Sequence, residues 1–427
     1  MKRVQLLMWA MALGGCGGGA QMRGPLSAQQ TAPLENEEEK KDAASPTSSF
    51  SLPQQAVKAE KRSAVYERGE RAWKEGNLLA AKEAWLEATK EAPQTAAPYY
   101  SLGTVLERLG DTEGAAKAYQ SAFTIAPNHA PSIGAYALLL LRNGSPDKAD
   151  AFLTEQFEKQ RSPQLATYLA EVKSLKKDSA SAQKYAQEAL HLDPDCKEAM
   201  VIIATDYYRA RRLDLAQYAL RAILDGFGEG TPPRDKENAE AYLLRGIILK
   251  EAGYRLAAMT EFESALKKRP DLVEANLYLG SMKLEAGNAR EACPLLEAAA
   301  HYAPMNPVAR LNLGDCYRLV GNSSAAKREL ERALALDSTL LGVHYNLGLL
   351  YLFSPKVESL SPSQQVELAI KEFETYKSMR GTKVQRGGGD DVDELLNRAK
   401  AKQIEIKGTS VSATSQAPAP PAAPTPK

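Results

Sequence analysis

The thiol of Cys16 is the reactive group in this 427-residue chain that its neighbours leave most open, because it stands in LGGCGGGA, Leu13 to Ala20, with glycine on both sides. A sulfur flanked by side chains this small is within reach of an acyl donor and a peptidase. Lys2 and Arg3 precede it, followed by VQLLMWAMAL, which together form the charged start and short apolar middle of a secretory signal. That run of about ten residues is too short to cross a bilayer as a helix, which needs roughly 20. Attachment to a membrane would therefore have to pass through the thiol.

Nothing else in the chain converges on catalysis. The four histidines, His129, His191, His301 and His344, are scattered, and HExxH, GxSxG, CxxC and Walker patterns are all missing. The glycine-rich GFGEG, Gly226 to Gly230, follows a helical pattern and no Lys-Ser/Thr pair closes it, so it reads as a loop. Asp390 and Asp391 open a helix, where paired acids suit the dipole. Cys196, Cys293 and Cys316 are odd in number and irregular in spacing, a poor disulfide framework and no zinc motif. They read as small buried side chains, with a Cys293–Cys316 pairing left open. The expectation is a non-enzyme with no metal and no cofactor.

Leu13-Gly14-Gly15-Cys16 resembles the bacterial lipobox, in which the cysteine is diacylated and becomes the mature N-terminus. The resemblance implies a signal peptide over 1–15 and a lipid on Cys16, each buried methylene of which contributes about 0.8 kcal/mol to membrane binding. By the family's sorting rule, Gly17 in place of aspartate implies the outer membrane facing the periplasm. The periplasmic or surface leaflet stays open.

The elements around that anchor divide by composition. Residues 16–56 are rich in Gly, Ala, Ser, Gln and Pro around ENEEEKKD and read as a disordered tether. Residues 408–427, ending in APAPPAAPTPK, read as a disordered tail. Between them, 44% hydrophobic content with 7% aromatic and 25% charged residues leans helical, and a net charge of +1 argues against a nucleic-acid partner.

That middle repeats every 34 residues. Gly69, Gly103 and Ala137, then Gly246, Gly280, Gly314 and Gly348 mark a helix crossing. Gly76, Gly110, Gly144, Gly253, Gly287 and Gly321 mark a turn, where glycine ends the first helix in the left-handed region. In the second helix an alanine recurs from Ala81 to Ala326, expected to face the small crossing residue of the first. A large residue such as Trp85, Tyr119 or Phe262 follows it, and Pro93, Pro127, Pro194, Pro270 and Pro304 end units. The pattern predicts nine units beginning near 62, 96, 130, 163, 197, 239, 273, 307 and 341. They form an N-terminal block over 57–225 and a C-terminal block over 237–380, separated by a linker over 226–236. A capping helix is expected over 381–407. Units from 130, 163 and 197 depart from the pattern: the first lacks the terminal proline, the second has Ala170 at the crossing and Lys177 at the turn, and the third lacks the final alanine and proline.

These residues resemble the tetratricopeptide-repeat signature across 62–380, which implies an all-α, right-handed solenoid of helix-turn-helix units. On that family's geometry the first helices of the units line a concave groove. The groove positions expected to hold a peptide or a helix of a partner are Leu243, Leu277, Leu311, Asn312, Tyr345 and Asn346, with Tyr66, Trp73, Tyr100 and Tyr208 next. Rings supply area and amides satisfy a ligand backbone. Tyr66 and Glu70 occupy the places where chaperone-tail receptors carry a carboxylate clamp, so that class is not expected. The whole resembles the tetratricopeptide lipoproteins of gliding motility. It implies a monomeric, lipid-anchored scaffold for envelope proteins, with a pilotin-like assembly factor or a subunit of a cell-wall enzyme as alternatives.

Overall fold

The computed structural model describes residues 63–358, 360–381 and 391–415, with side chains to 408. Cys16, the tether and the final twelve residues lie outside the described part. Helices alternate in antiparallel pairs. Units 1 to 3 are α1 (Ala64–Lys74) with α2 (Leu78–Glu91), α3 (Ala96–Arg108) with α4 (Thr112–Ile125), and α5 (Ala130–Arg142) with α6 (Pro146–Lys159). Units 4 to 6 are α7 (Pro163–Leu175) with α8 (Ser179–Leu192), α9 (Lys197–Arg209) with α10 (Leu213–Leu224), and α11 (Ala239–Glu251) with α12 (Arg255–Lys268). Units 7 to 9 are α13 (Val273–Glu285) with α14 (Ala289–Tyr302), α15 (Pro307–Leu319) with α16 (Ser323–Leu336), and α17 (Leu341–Phe353) with α18 (Pro362–Arg380). A single helix, α19 (Val392–Ser415), follows.

Each pair is punctuated by backbone chemistry. In unit 7 the Gly287 N–H donates to Leu284 O at 2.9 Å and the Asn288 N–H to Lys283 O at 2.8 Å, with Gly287 at φ 80°, which satisfies the last carbonyls of α13. The second helices then start on side-chain caps: Asn77, Asp111, Asp178 and Asn322 accept from the third residue beyond. Each such cap is worth about 1 kcal/mol.

The crossing within a unit differs from the sequence expectation. A Cβ placed on Gly280 would lie 2.7 Å from Leu296 Cδ2, and one on Gly103 would lie 2.5 Å from the Tyr119 ring. The small residue of the first helix therefore faces the large residue of the second, one turn beyond the expected alanine. Ala292 and Ala115 are fully buried, close to that contact in sequence but not its nearest partner. The side chain that fills the space above glycine is what sets the spacing of the pair.

The 226–236 segment doubles back, with the N–H groups of Arg234 and Asp235 donating to Ala222 O and Ile223 O of α10 at 3.2 and 2.8 Å. One apolar cluster runs from Val201 and Leu220 to Leu244 and Ile248, so α10 and α11 share a core despite the loop. Between α17 and α18 the chain turns through Val357, which is fully buried, and restarts on a capping box at Ser361 and Gln364.

At the far end α19 lays Val392, Leu395, Leu396 and Ala399 over the core of unit 9, covering an apolar face that a last repeat leaves open. This helix runs to Ser415, past Gly408 where the tail was expected to begin. Cys293 of α14 and Cys316 of α15 form a disulfide, with Cα atoms 5.6 Å apart. The odd count and uneven spacing hid it, because stacking of consecutive units brings together residues 23 apart. Cys196 is buried and free, and burial pushes its thiol up, away from reactivity.

Candidate functional site

The first helices α11, α13, α15 and α17 carry the residues expected to bind. Leu243, Leu277 and Leu311 are half-buried and pack against neighbouring helices. Asn312 donates through Nδ2 to Ser281 Oγ at 3.0 Å, and Asn346 donates to Gly342 O of its own helix at 3.1 Å. Each amide thus commits one N–H within the protein, and among the described residues no donor reaches either side-chain oxygen. Tyr345 is committed differently. Its hydroxyl donates to Asp391 Oδ1 at 2.8 Å and its ring lies 5.4 Å from Tyr376, so it belongs to the junction with the capping helix.

The N-terminal candidates are mostly interior. Tyr66, Tyr100 and Tyr208 are 8%, 3% and 4% exposed, which leaves little of any ring for a ligand. The Tyr66 hydroxyl meets Ser101 Oγ at 3.2 Å, the Tyr100 ring lies 5.5 Å from His129, and the Tyr208 hydroxyl donates to Glu251. Burial raises the Tyr100 hydroxyl well above its ordinary value, and burial together with Glu251 does the same for Tyr208. The reason is geometric, though the register differs: Tyr66 and Tyr100, three before the crossing residue, and Tyr208, four after it, all meet the next unit, at Ser101 of α3, at His129 where α5 starts and at Glu251 of α11. Trp73 alone of the four stays half-buried, under the Arg108 guanidinium 4.5 Å from its ring centre.

A set of polar residues, of which the repeat geometry points only to Arg108 as groove-facing, is not evident from the sequence motifs. Five places after each crossing residue stand Lys74, Arg108, Arg142 and Arg209 in units 1, 2, 3 and 5, then Glu251 and Glu285 in units 6 and 7. The register that located the glycines would have shown this change of sign. Arg142 pairs with Glu107, and Arg209 donates to Ser174 Oγ at 3.1 Å. Between them Glu171 has its carboxyl raised by burial, which Arg209 and Arg142 oppose. Several of these charges are neutralised where they stand, Arg142 by Glu107, Glu251 by Arg211 and Glu285 by Arg255, so the change of sign stays local to this position.

Elsewhere, an open cleft of about 810 Å³ lies between α18 and α19, lined by Leu360, Leu368, Ile370 and Ile404 with Lys371 and Lys400. Among the described residues, no group of three or more His, Cys, Asp or Glu side chains is placed to hold a metal. None of the described helices is long and apolar enough to cross a membrane.

Comparisons with known proteins agree with the helical pairing. Residues 66–130 and 283–339 each match a tetratricopeptide-repeat model. Among solved structures, the Cut9–Hcn1 hetero-tetramer of the APC/C is 16% identical over 78% of this chain and 75% of that chain, with a TM-score of 0.48. YrrB, described as a TPR protein with an unusual peptide-binding site, is 20% identical over 46% of this chain and 97% of its own, with a TM-score of 0.27. The P58(IPK) TPR domain is 14% identical over 80% and 98%, with a TM-score of 0.26. The matched repeats lie in units 1–2 and 7–8 and the same pairing runs through the units between, so the described residues fold as an all-α solenoid of tetratricopeptide-type helix pairs.

Proposed function

We propose that this chain is a lipid-anchored scaffold: acylated at Cys16, held at the outer membrane, and displaying its solenoid in the periplasm to bind proteins of an envelope-spanning machine such as that of gliding motility. The observation that carries the binding part is the run of successive first helices, in which Asn312 and Asn346 stand at equivalent positions and, among the described residues, no donor reaches either side-chain oxygen. An extended segment or a helix from another protein suits such a wall, because its backbone N–H groups need acceptors. Two features support the compartment. The segment Leu13-Gly14-Gly15-Cys16 resembles a lipobox, and a disulfide between α14 and α15 suits an oxidising space.

Affinity purification with crosslinking from native membranes tests the reading. Asn312→Ala/Asn346→Ala should lower partner recovery at equal protein level, whereas Glu331→Ala, on the exposed side of α16, should leave it unchanged. Equal recovery from the double variant would move the binding surface away from units 8 and 9. Cys16→Ala should release the chain from the membrane pellet, and retention after a high-salt wash would refute the anchor.

A further inference from the structure

The solenoid meets itself. His301, at the end of α14 in unit 7, places Nε2 2.8 Å from Glu75 O, 226 residues away at the end of α1. Arg108, at the end of α3, donates through Nη1 to Tyr302 O at 3.1 Å, across 194 residues. Both accepting carbonyls stand at helix C-termini and receive no backbone N–H among the described residues. Each is the kind of group a helix end leaves orphaned. The two contacts are reciprocal: unit 7 caps the first helix of unit 1, and unit 2 caps the second helix of unit 7.

Shape and charge agree with the hydrogen bonds. A Cβ on Gly76 would lie 2.1 Å from His301 Nε2, so only the bare turn of unit 1 admits the imidazole that closely. At the next turn, a Cβ on Gly110 would come within 3.3 Å of Met305 Cε, which seats that side chain against unit 2. Arg108 lies over the Trp73 ring, and burial lowers the pKa of its guanidinium while Asp271 and Glu274 of the unit 6–7 junction counter that cost. A guanidinium at the C-terminal end of α14 also complements that helix's dipole.

We infer that Arg108 and His301 form a latch that closes the superhelix between units 1–2 and unit 7, so that the wall of first helices works as a closed ring whose opening governs entry. A folded partner reaches that wall only when the latch parts, while an extended segment enters by threading. The latch is built from this chain's own contacts and stands independently of lipidation and of the identity of the partner.

Two measurements on the full chain test it. In a Glu75→Cys/His301→Cys variant, a short bis-maleimide should bridge the new cysteines within one molecule, with the unsubstituted chain as the blank. If each cysteine labels singly yet the pair never bridges, the ring is not closed in solution and the inference falls. Small-angle X-ray scattering of Arg108→Ala/His301→Ala should show a larger radius of gyration and a longer maximum dimension at unchanged helical circular dichroism. An unchanged profile would overturn the assignment of the latch to these two side chains, and partner recovery plays no part in either result.

Discussion

Units 4 and 5 and units 6 to 8 have the same pair geometry and different residues at the places that should enforce it. In units 6 to 8 the turn is glycine at φ 84°, 80° and 84°, at Gly253, Gly287 and Gly321. In units 4 and 5 the same place holds Lys177 at φ 67° and Arg211 at φ 59°. At the crossing, Gly246, Gly280 and Gly314 oppose Phe262, Leu296 and Leu330, while the irregular units have Ala170 and Ala204. Stacking between regular neighbours therefore imposes the backbone even where the local residue resists it. A repeat array tolerates this because each unit is held by its neighbours as well as by its own sequence.

The largest effect that separates the two regions should come from the disulfide, which staples unit 7 to unit 8 and has no counterpart in units 4 and 5. Cys293→Ala/Cys316→Ala should cost about 3 kcal/mol, the chain-entropy value for closing a loop of this size. The check is chemical denaturation with and without reductant. Reductant should shift the wild-type midpoint and leave the double variant where it is. A variant as stable as wild type would mean that α14 and α15 hold their register without the bond.

The crossing comes next. Gly280→Leu drives a branched side chain into Leu296, an overpacking that costs about 1–3 kcal/mol. Its melting temperature should fall while helicity at low temperature persists. No change would mean that the crossing of unit 7 has slack, and that its regularity is not a packing requirement.

What the sequence could and could not show follows from the range of each interaction. Helix pairs, turns and unit starts depend on residues within 34 positions of each other, so periodicity exposes them. The side chain opposite a crossing glycine was misplaced by a turn, since recurrence identifies conserved spacing within the array without saying which recurring residues touch. Tyr66, Tyr100 and Tyr208 were placed on the wall because a repeat position has one direction in an isolated pair, but the covering helix belongs to the next unit. The disulfide joins two units, and the His301–Glu75 contact joins units six apart, where no local pattern has reason to mark it. Asn312 and Asn346 were legible as amides at equivalent positions; that each spends one N–H within the protein was not.

The smallest effect tests the comparison at the turns themselves. A lysine in the left-handed region loses roughly 1–2 kcal/mol relative to its preferred backbone, whereas glycine visits that region freely but gives up about 0.5–1 kcal/mol more chain entropy on folding. Lys177 is exposed and makes no ion pair among the described residues, so its removal forfeits little. Lys177→Gly should stabilise the protein by about 0.5–1 kcal/mol, read as a higher denaturation midpoint. Arg211 is the contrasting case, because its Nη1 donates to Glu251 Oε2 at 2.8 Å and its guanidinium lies 6.0 Å from the Tyr208 ring centre. The pair is largely solvent-exposed, so its contribution is small but favourable. Arg211→Gly should therefore gain less than Lys177→Gly, because relief of the backbone is offset by the lost contact. Equal gains would show that the Arg211–Glu251 pair contributes nothing to stability. A loss at Lys177 would show that the left-handed turn carries no strain there, and that units 4 and 5 do not depart energetically from their regular neighbours.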